Sequence, residues 1–183
     1  DLDYTVKKNI FNLSEYLNKK PESITACVMD RPRHKDIIDE LVKIGVNIKL
    51  ISDGDVSGAL LVTDDKYNVD IFLGIGGGPE GVLAAAALDT FKYFFQGRFL
   101  FDTEKDKMRA NKMGITDFTK KYELNEIVKG DSIFCATGIT TGDLVAGIKI
   151  ANNEFISETF VTHKSKNIKM NVKEKVKKIL WSQ

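Results

Sequence analysis

The stretch Asp70–Gly81 reads DIFLGIGGGPEG and predicts a buried strand that opens into a glycine loop and then a helix. The apolar residues Ile71–Leu73 are typical of the strand, and Pro79 is a residue type preferred at the first position of a helix. The glycines Gly76–Gly78 allow the backbone to approach a ligand closely. Because the free N–H groups at a helix start attract anions, the stretch predicts an anion site.

Glu80 falls in the first turn of the predicted helix and adds a negative charge to the same place. A carboxylate beside a phosphate requires a cation between the two, so the loop suggests phosphate together with a metal ion. The alternative is that Glu80 only interacts favourably with the positive end of the helix dipole.

The composition is that of a globular protein, since 43% of the 183 residues are hydrophobic and 29% are charged. The net charge of +1 argues against a nucleic acid or a membrane surface as the main partner, and we expect neither. The apolar run Val82–Leu88 is too short to span a bilayer, and no secretory signal is recognised. Cys27 and Cys135 lie in apolar runs, which favours buried free thiols and a reducing, cytoplasmic setting.

Strands alternate with helices along the chain, which favours an α/β fold with a mostly parallel sheet and helices on both faces. We expect one α/β domain over residues 1–183 and a mixed sheet, because the strands after Gly130 include a hairpin turn at Asn152–Asn153. Gly45 is expected to end the second helix as a C-cap. The predicted helices are 4–18, a segment through 37–42, 56–62, 79–94 and 102–113, and the predicted strands are 24–29, 47–51, 69–73, 133–136, 145–151, 155–163 and 167–172.

Two arginines follow the first predicted strand in the segment Met29–His34, MDRPRH. Pro32 disfavours helix at Arg31 and holds the guanidinium groups of Arg31 and Arg33 near the strand end. The planar fork of arginine suits phosphate recognition. The alternative is a turn whose charges are merely solvated.

A pair of carboxylates follows the second predicted strand in Ser52–Val56, SDGDV. Asp53 and Asp55 could bind a metal, sugar hydroxyls or an arginine, or they could only cap the next helix. Ligands bind at the carboxyl ends of strands in open α/β sheets. We therefore expect the arginine, aspartate and glycine motifs to meet along one sheet edge.

Four segments occur in an order that resembles the class II fructose-1,6-bisphosphatases, metal-dependent sugar phosphatases of the lithium-sensitive phosphatase superfamily. The similarity runs from about residue 24 to residue 165. It implies the C-terminal half of a layered α/β sugar phosphatase that hydrolyses fructose 1,6-bisphosphate to fructose 6-phosphate and phosphate, in gluconeogenesis and glycerol metabolism. The four segments are MDRPRH (29–34), SDGDVSGA (52–59), GIGGGPEGVLAAAAL (74–88) and FCATGITTGDL (134–144).

The resemblance also implies roles for single residues. Glu80 would ligate a divalent cation, Mn²⁺ or Mg²⁺, and Gly77 would approach the substrate through its backbone. The arginine motif, residues 31–33, would bind a phosphate of the sugar bisphosphate. The aspartate motif, residues 53–55, would contact the bound sugar phosphate. The implied substrate-binding residues are Arg31, Pro32, Arg33, Asp53, Gly54, Asp55 and Gly77.

The sequence departs from the family pattern at three places. Gly78 stands where the family often has alanine, and Thr141 where it usually has aspartate. The region 90–115 lacks the usual glycine pair after the alanine-rich helix, so a loop bordering the substrate is expected to differ.

Family members also carry an N-terminal half that supplies most of the metal-ligating carboxylates, and nothing in residues 1–29 replaces it. Hydrolysis by metal-activated water requires several such carboxylates. We therefore expect the substrate-binding half of a cytoplasmic, homo-oligomeric enzyme, with no catalytic residue of its own and no activity alone.

Three other interpretations of the sequence remain. The substrate could be sedoheptulose 1,7-bisphosphate rather than the fructose ester. The chain could also be a phosphosugar-binding module without chemistry. Finally, an apolar strand before Asp53-Gly54-Asp55-Val56 resembles the nucleophile motif of haloacid-dehalogenase-like phosphatases, in which Asp53 would attack phosphorus.

Overall fold

A computed structural model describes residues 1–177 of the chain. Helices and short strands alternate up to residue 127, and strands dominate afterwards. The helices are α1 (Val6–Tyr16), α2 (Lys35–Ile44), α3 (Asp55–Leu60), α4 (Gly78–Thr90), α5 (Glu104–Lys112) and α6 (Leu124–Ile127). The strands are β1 (Thr25–Met29), β2 (Asn47–Ile51), β3 (Ile71–Phe72), β4 (Gln96–Arg98), β5 (Lys121–Glu123), β6 (Ile133–Thr137), β7 (Lys149–Ala151), β8 (Glu154–His163) and β9 (Ile168–Lys177).

A parallel sheet of three strands, in the order β2-β1-β3, forms the first half of the fold. Met29 lies opposite Ile51, and Cys27 lies opposite Phe72. Because both pairings are parallel, the carboxyl ends of all three strands face the same edge of the sheet.

Helices cover both faces of this sheet, and every residue of β1 is buried between them. On one face, side chains of β1 pack against α1 and α2. On the other face, Cys27 packs against Leu61 and Val69, and its burial raises the pKa of the thiol to about 11. The core between the sheet, α1 and α2 consists of Ile10, Ile24, Ala26, Val28, Leu41 and Val46.

An antiparallel sheet built on β8 forms the second half of the fold. β9 pairs along the whole of one edge of β8, while β6 and β7 pair with different parts of its other edge. One face of this sheet packs on α4, where Phe134 and Phe160 meet Leu88. The other face is open, and its exposed apolar side chains include Ile133, Ile150, Met170 and Val176.

A buried polar network fastens the end of α4 to the antiparallel sheet. Asp89 accepts hydrogen bonds from Ser132 Oγ at 2.9 Å and from Lys164 Nζ at 2.8 Å. Next to it, Thr90 Oγ1 donates to Thr162 Oγ1 at 2.8 Å. Because buried polar groups are stable only when paired, these bonds fix the orientation of α4.

The α/β class and the helices on both faces are confirmed, and so is the order of the elements up to residue 90. Gly45 ends α2 in the left-handed region with φ 85°, as predicted. Asn152 and Asn153 have φ values of 51° and 61°, which are those of the predicted hairpin turn.

Several predicted bounds differ from the structure. The strands after Gly130 form their own antiparallel sheet rather than extending the parallel one. The predicted strand 145–151 is a strand only from Lys149, and the predicted helix 79–94 ends at Thr90. The pairing of β4 with β5 is not predicted by the sequence, since each strand is only three residues long. Within residues 1–177, no helix has the length and hydrophobicity needed to cross a bilayer.

Candidate functional site at the carboxyl edge of the parallel sheet

The structure brings the three motifs to one edge of the parallel sheet, as predicted. The segment Asp30–Arg33 follows β1, Asp53–Asp55 follow β2, and the glycine loop follows β3. Since the three strands are parallel, each motif begins where its strand ends. The site is therefore assembled from three short connections that are supported by one rigid sheet.

The arginine turn is bonded directly to the glycine loop. Pro32–His34 form a single 3₁₀ turn, and Arg33 Nε donates a hydrogen bond to the carbonyl oxygen of Ile75 at 2.5 Å. This bond uses only one donor of the exposed Arg33 guanidinium, so its remaining N–H groups can bind an anion. Arg31 is partly buried at the start of the same turn.

His34 makes a second connection between the same two segments. It is fully buried, its Nδ1 lies 2.9 Å from the carbonyl oxygen of Met29, and the Ile75 N–H donates to its Nε2 at 2.7 Å. No sequence pattern assigns a role to this histidine, because a sequence does not show which ring nitrogens will meet backbone partners.

The aspartate motif lies at the N-terminus of α3, but neither carboxylate caps this helix, because the N-cap residue is Gly54 and no side chain accepts a cap hydrogen bond. Gly54 takes φ 83°, a left-handed conformation that glycine adopts without strain. Asp53 Oδ1 accepts from the Gly54 N–H at 2.9 Å, and Asp55 Oδ1 accepts from the Val56 N–H at 3.0 Å. Both carboxylates thus keep further lone pairs for a ligand.

Asp55 reaches across to the glycine loop. A Cβ placed on Gly76 would lie only 2.9 Å from Asp55 Oδ2, so the carboxylate sits directly on that backbone. Asp53, in contrast, is exposed and points no oxygen at another motif among the residues described.

Glu80 folds back over the loop at the start of α4. A Cβ on Gly77 would lie 2.1 Å from Glu80 Oε2, so a larger residue there would push the carboxylate away from the loop. Gly77 is the N-cap residue of α4, and no side chain caps that end. The first turn of α4 therefore presents backbone donors and the Glu80 carboxylate side by side at an exposed surface.

A fourth segment approaches the sheet from the second half of the chain. Asp143 pairs with Lys49 of β2 at 3.0 Å, which fixes the loop that contains Thr141 beside the parallel sheet. Phe99 stands close to the glycine loop on another side, 3.3 Å from where a Cβ of Gly78 would be. Phe99 belongs to the region 90–115, in which the sequence predicts a loop that borders the substrate.

A divalent cation does not find a complete set of ligands here. Among residues 1–177, no three His, Cys, Asp or Glu side chains are close enough to hold a metal ion together. Mg²⁺ in particular keeps its waters unless several ligands or phosphates converge on it. The described residues therefore fit a cation only as one contributor, through Glu80.

The fold and the site define an α/β protein in which arginine, aspartate and glycine motifs converge at the carboxyl edge of a parallel sheet. The family model described as bacterial fructose-1,6-bisphosphatase, glpX-encoded, matches residues 1–176, so the chain belongs to that family.

Curated relatives agree with this assignment. A protein of Synechococcus sp. (strain JA-3-3Ab) is 36% identical over 173 residues, which cover 87% of this chain and 50% of the relative. A protein of Microcystis aeruginosa (strain NIES-843) is 37% identical over 162 residues, covering 81% and 47%. Both are named D-fructose 1,6-bisphosphatase class 2/sedoheptulose 1,7-bisphosphatase. The chain thus spans about half the length of the curated relatives it matches.

Proposed function

We propose that this chain is the substrate-binding half of a metal-dependent sugar bisphosphatase, which hydrolyses fructose 1,6-bisphosphate to fructose 6-phosphate and phosphate. One observation carries the proposal: the arginine turn, Asp55 and Glu80 all contact the glycine loop between Ile75 and Gly78. A bisphosphorylated sugar needs cationic groups for its phosphates and acceptors for its hydroxyls, and this edge offers both.

The two arginines have the chemistry to hold the phosphate that remains on the sugar. A guanidinium binds a phosphate through two parallel N–H bonds, which fixes its position as well as its charge. Arg33 is already oriented by its bond to Ile75. Asp53 and Asp55 would accept from sugar hydroxyls, with Gly54 and Pro32 shaping the two turns that carry these groups. Gly77 would meet the substrate through its backbone.

Glu80 would supply one ligand to Mn²⁺ or Mg²⁺, and the half of the relatives that this chain does not cover would supply the others. Such a cation would neutralise charge on the transferred phosphoryl group and activate water. The contribution of this chain is then positioning, which is a large part of the catalysis of phosphoryl transfer.

Sedoheptulose 1,7-bisphosphate is a second candidate substrate, because the names of the relatives include it. We further propose that residues 1–183 act as one α/β unit in a cytoplasmic homo-oligomer. The exposed apolar face of the antiparallel sheet supports an assembled state.

Complementation with the missing half tests the proposed function. The chain alone should show no bisphosphatase activity with either cation, and activity should appear when the other half of the enzyme is supplied. In that assembly Glu80→Gln should lower kcat/KM at least about tenfold and raise the metal concentration required, because a cation ligand is lost.

Glu15→Gln is the matched control, since Glu15 is exposed on α1, away from the site. This variant should leave kcat/KM and the required metal concentration unchanged. Turnover by the chain alone that survives Glu80→Gln would contradict the proposal. Binding of the sugar bisphosphate by the assembly without any turnover would favour the module without chemistry.

A further inference from the structure

His34 joins the end of β1 to the glycine loop from a completely buried position. Its Nδ1 lies 2.9 Å from the Met29 carbonyl oxygen, and its Nε2 lies 2.7 Å from the Ile75 nitrogen. The Ile75 carbonyl oxygen lies 3.1 Å from Nε2 and also accepts a hydrogen bond from Arg33 Nε.

A proton on Nδ1 satisfies the two shorter contacts of the imidazole, those with the Met29 carbonyl oxygen and the Ile75 N–H. With the proton on Nδ1, the ring donates to Met29 and accepts from the Ile75 N–H. With the proton on Nε2, the ring could donate only to the Ile75 carbonyl oxygen at 3.1 Å, while two donors would face each other at the Ile75 N–H and two acceptors at Met29. A doubly protonated ring would also bury a charge among backbone dipoles. Each mismatch is costly, because it leaves a buried donor or acceptor unpaired.

We infer that His34 is a positioning residue: its neutral imidazole, protonated on Nδ1, holds the Ile75 N–H and so sets the glycine loop against the arginine and aspartate motifs. The inference rests on the proposed function, because it assumes that this loop meets the substrate. Ile75 directly precedes Gly76, on which Asp55 rests, and Gly77, over which Glu80 folds.

His34 restrains the glycine loop because of where Ile75 lies in it. Arg33 holds the carbonyl of Ile75, and His34 holds its N–H, so one residue is fixed from both sides. The glycines that follow have no Cβ to restrict their backbone conformation. Without the His34 bond, the loop would keep the correct contacts for a smaller fraction of the time, and substrate binding would weaken accordingly.

Two substitutions separate the two bonds of His34. An asparagine amide reaches only as far as the Nδ1 position, whereas a glutamine amide reaches the Nε2 position. His34→Asn can therefore still donate to Met29 but loses the acceptor for Ile75, and His34→Gln does the reverse.

In the complete enzyme, His34→Asn should raise KM for fructose 1,6-bisphosphate about tenfold. His34→Gln should stay within about threefold of the wild type, with kcat changed little in both variants.

Thr162→Val is the control for a general loss of stability, because Thr162 is also fully buried and hydrogen-bonded but contacts α4 from the antiparallel sheet. It should leave KM unchanged. Equal changes in KM for His34→Asn and His34→Gln would overturn the inference.

The tautomer can be measured in the chain alone, without substrate. Long-range ¹⁵N–¹H spectra should show the proton of His34 on Nδ1, and the Ile75 amide should exchange slowly with solvent in the wild type and fast in His34→Asn. A proton on Nε2 would overturn the inference whatever the kinetics show. If the complete enzyme has no bisphosphatase activity but the tautomer is as expected, the proposed function fails and the structural part of the inference stands.

Discussion

Arg31 and Arg33 leave the same short turn but differ in what they contact. Arg33 donates to the Ile75 carbonyl, whereas Arg31 makes no side-chain hydrogen bond or ion pair with any residue in the range 1–177. Arg33 thus holds the glycine loop in addition to offering charge to a ligand. The two arginines are therefore not equivalent, although the sequence presents them as a symmetric pair around Pro32.

We predict that Arg31→Ala raises KM about tenfold in the complete enzyme, because one charge-assisted hydrogen bond to the non-reacting phosphate is lost. Arg33→Ala should raise KM further, since the loop also loses its bond at Ile75. Arg33→Lys should rescue poorly, because an ammonium group cannot reproduce the planar fork.

Steady-state kinetics check this prediction, with Lys35→Ala as the control because Lys35 is an exposed cation on the same turn, paired with Asp39. The control should leave KM unchanged. A fall in kcat alone for either arginine variant would mean that the arginines act in the transition state instead.

At this scale the sequence predicts where the motifs lie better than what their residues contact. Arginines after a strand and aspartates before a helix follow from residue type and position, and the structure places both at the predicted edge. The role of His34 depends on where Met29 and Ile75 place their backbone groups. That placement is a property of the folded sheet, so no local pattern of letters could predict it.

Helix α4 shows why the end of an element is harder to predict than its existence. Its alanine-rich sequence is typical of a helix, and the apolar residues up to Phe94 suggest a longer one. The chain instead turns at Lys92, which has φ 59°. The Lys92 N–H bonds to Asp89, and the Tyr93 N–H bonds to Leu88. These bonds form a Schellman motif with lysine at a position where glycine is usual.

We predict that Lys92→Gly stabilises the chain by about 0.5–1 kcal/mol, because glycine adopts the left-handed conformation without a steric penalty. Lys112→Gly is the matched control, since Lys112 lies inside the last turn of α5. The Lys112→Gly control should lower the free energy of unfolding by a similar amount. Urea unfolding followed by circular dichroism measures both changes, and a loss of stability in Lys92→Gly would contradict the explanation of the helix end.

The segment that begins the predicted strand 145–151 illustrates a tertiary effect. Gly142 donates to Val145, and Ile148 donates to Ile139, so these residues close a loop on themselves. A Cβ on Gly147 would lie 2.6 Å from the carbonyl carbon of Thr140, so only glycine allows this approach. The apolar residues are typical of a strand, but the Ala146 N–H already bonds to the Glu158 carboxylate of β8, and the N–H groups of Gly147 and Ile148 bond within the loop.

At the scale of the whole molecule, the open face of the antiparallel sheet exposes several large apolar side chains. Ile150 is 66% exposed, Ile133 65%, Val176 53% and Met170 48%. The cross-strand register brings Ile150 and Val176 to the same face, on either side of Phe155. Contiguous apolar surface of this kind is typical of an interface.

We predict that the isolated chain self-associates through this face. The double variant Ile150→Thr/Met170→Thr should shift the chain towards the monomer, because threonine keeps strand propensity while reducing apolar area. Sedimentation velocity over a range of concentrations measures the shift. Val42→Thr is the control, since Val42 is 62% exposed on α2, which packs on the parallel sheet rather than on the antiparallel one. An equal shift towards the monomer in the control would argue against association through the open face.

The two cysteines differ in exposure, so their reaction rates with a thiol reagent report on different parts of the fold. The expected burial is wrong for Cys135, which is exposed on β6 because its partner across the sheet, Val161, lies on the open face. Cys27 is buried in the central strand and its pKa is raised to about 11, so at pH 8 only about one molecule in a thousand has this thiol ionised.

A disulfide reagent at pH 8 should therefore modify Cys135 rapidly and Cys27 only as fast as the chain unfolds. The rate at Cys135 should fall as the open face is covered, either by a second copy at high concentration or by the missing half of the enzyme. Comparing the two rates in one sample would separate assembly from unfolding without any introduced label, and fast modification of Cys27 in the folded chain would contradict its burial.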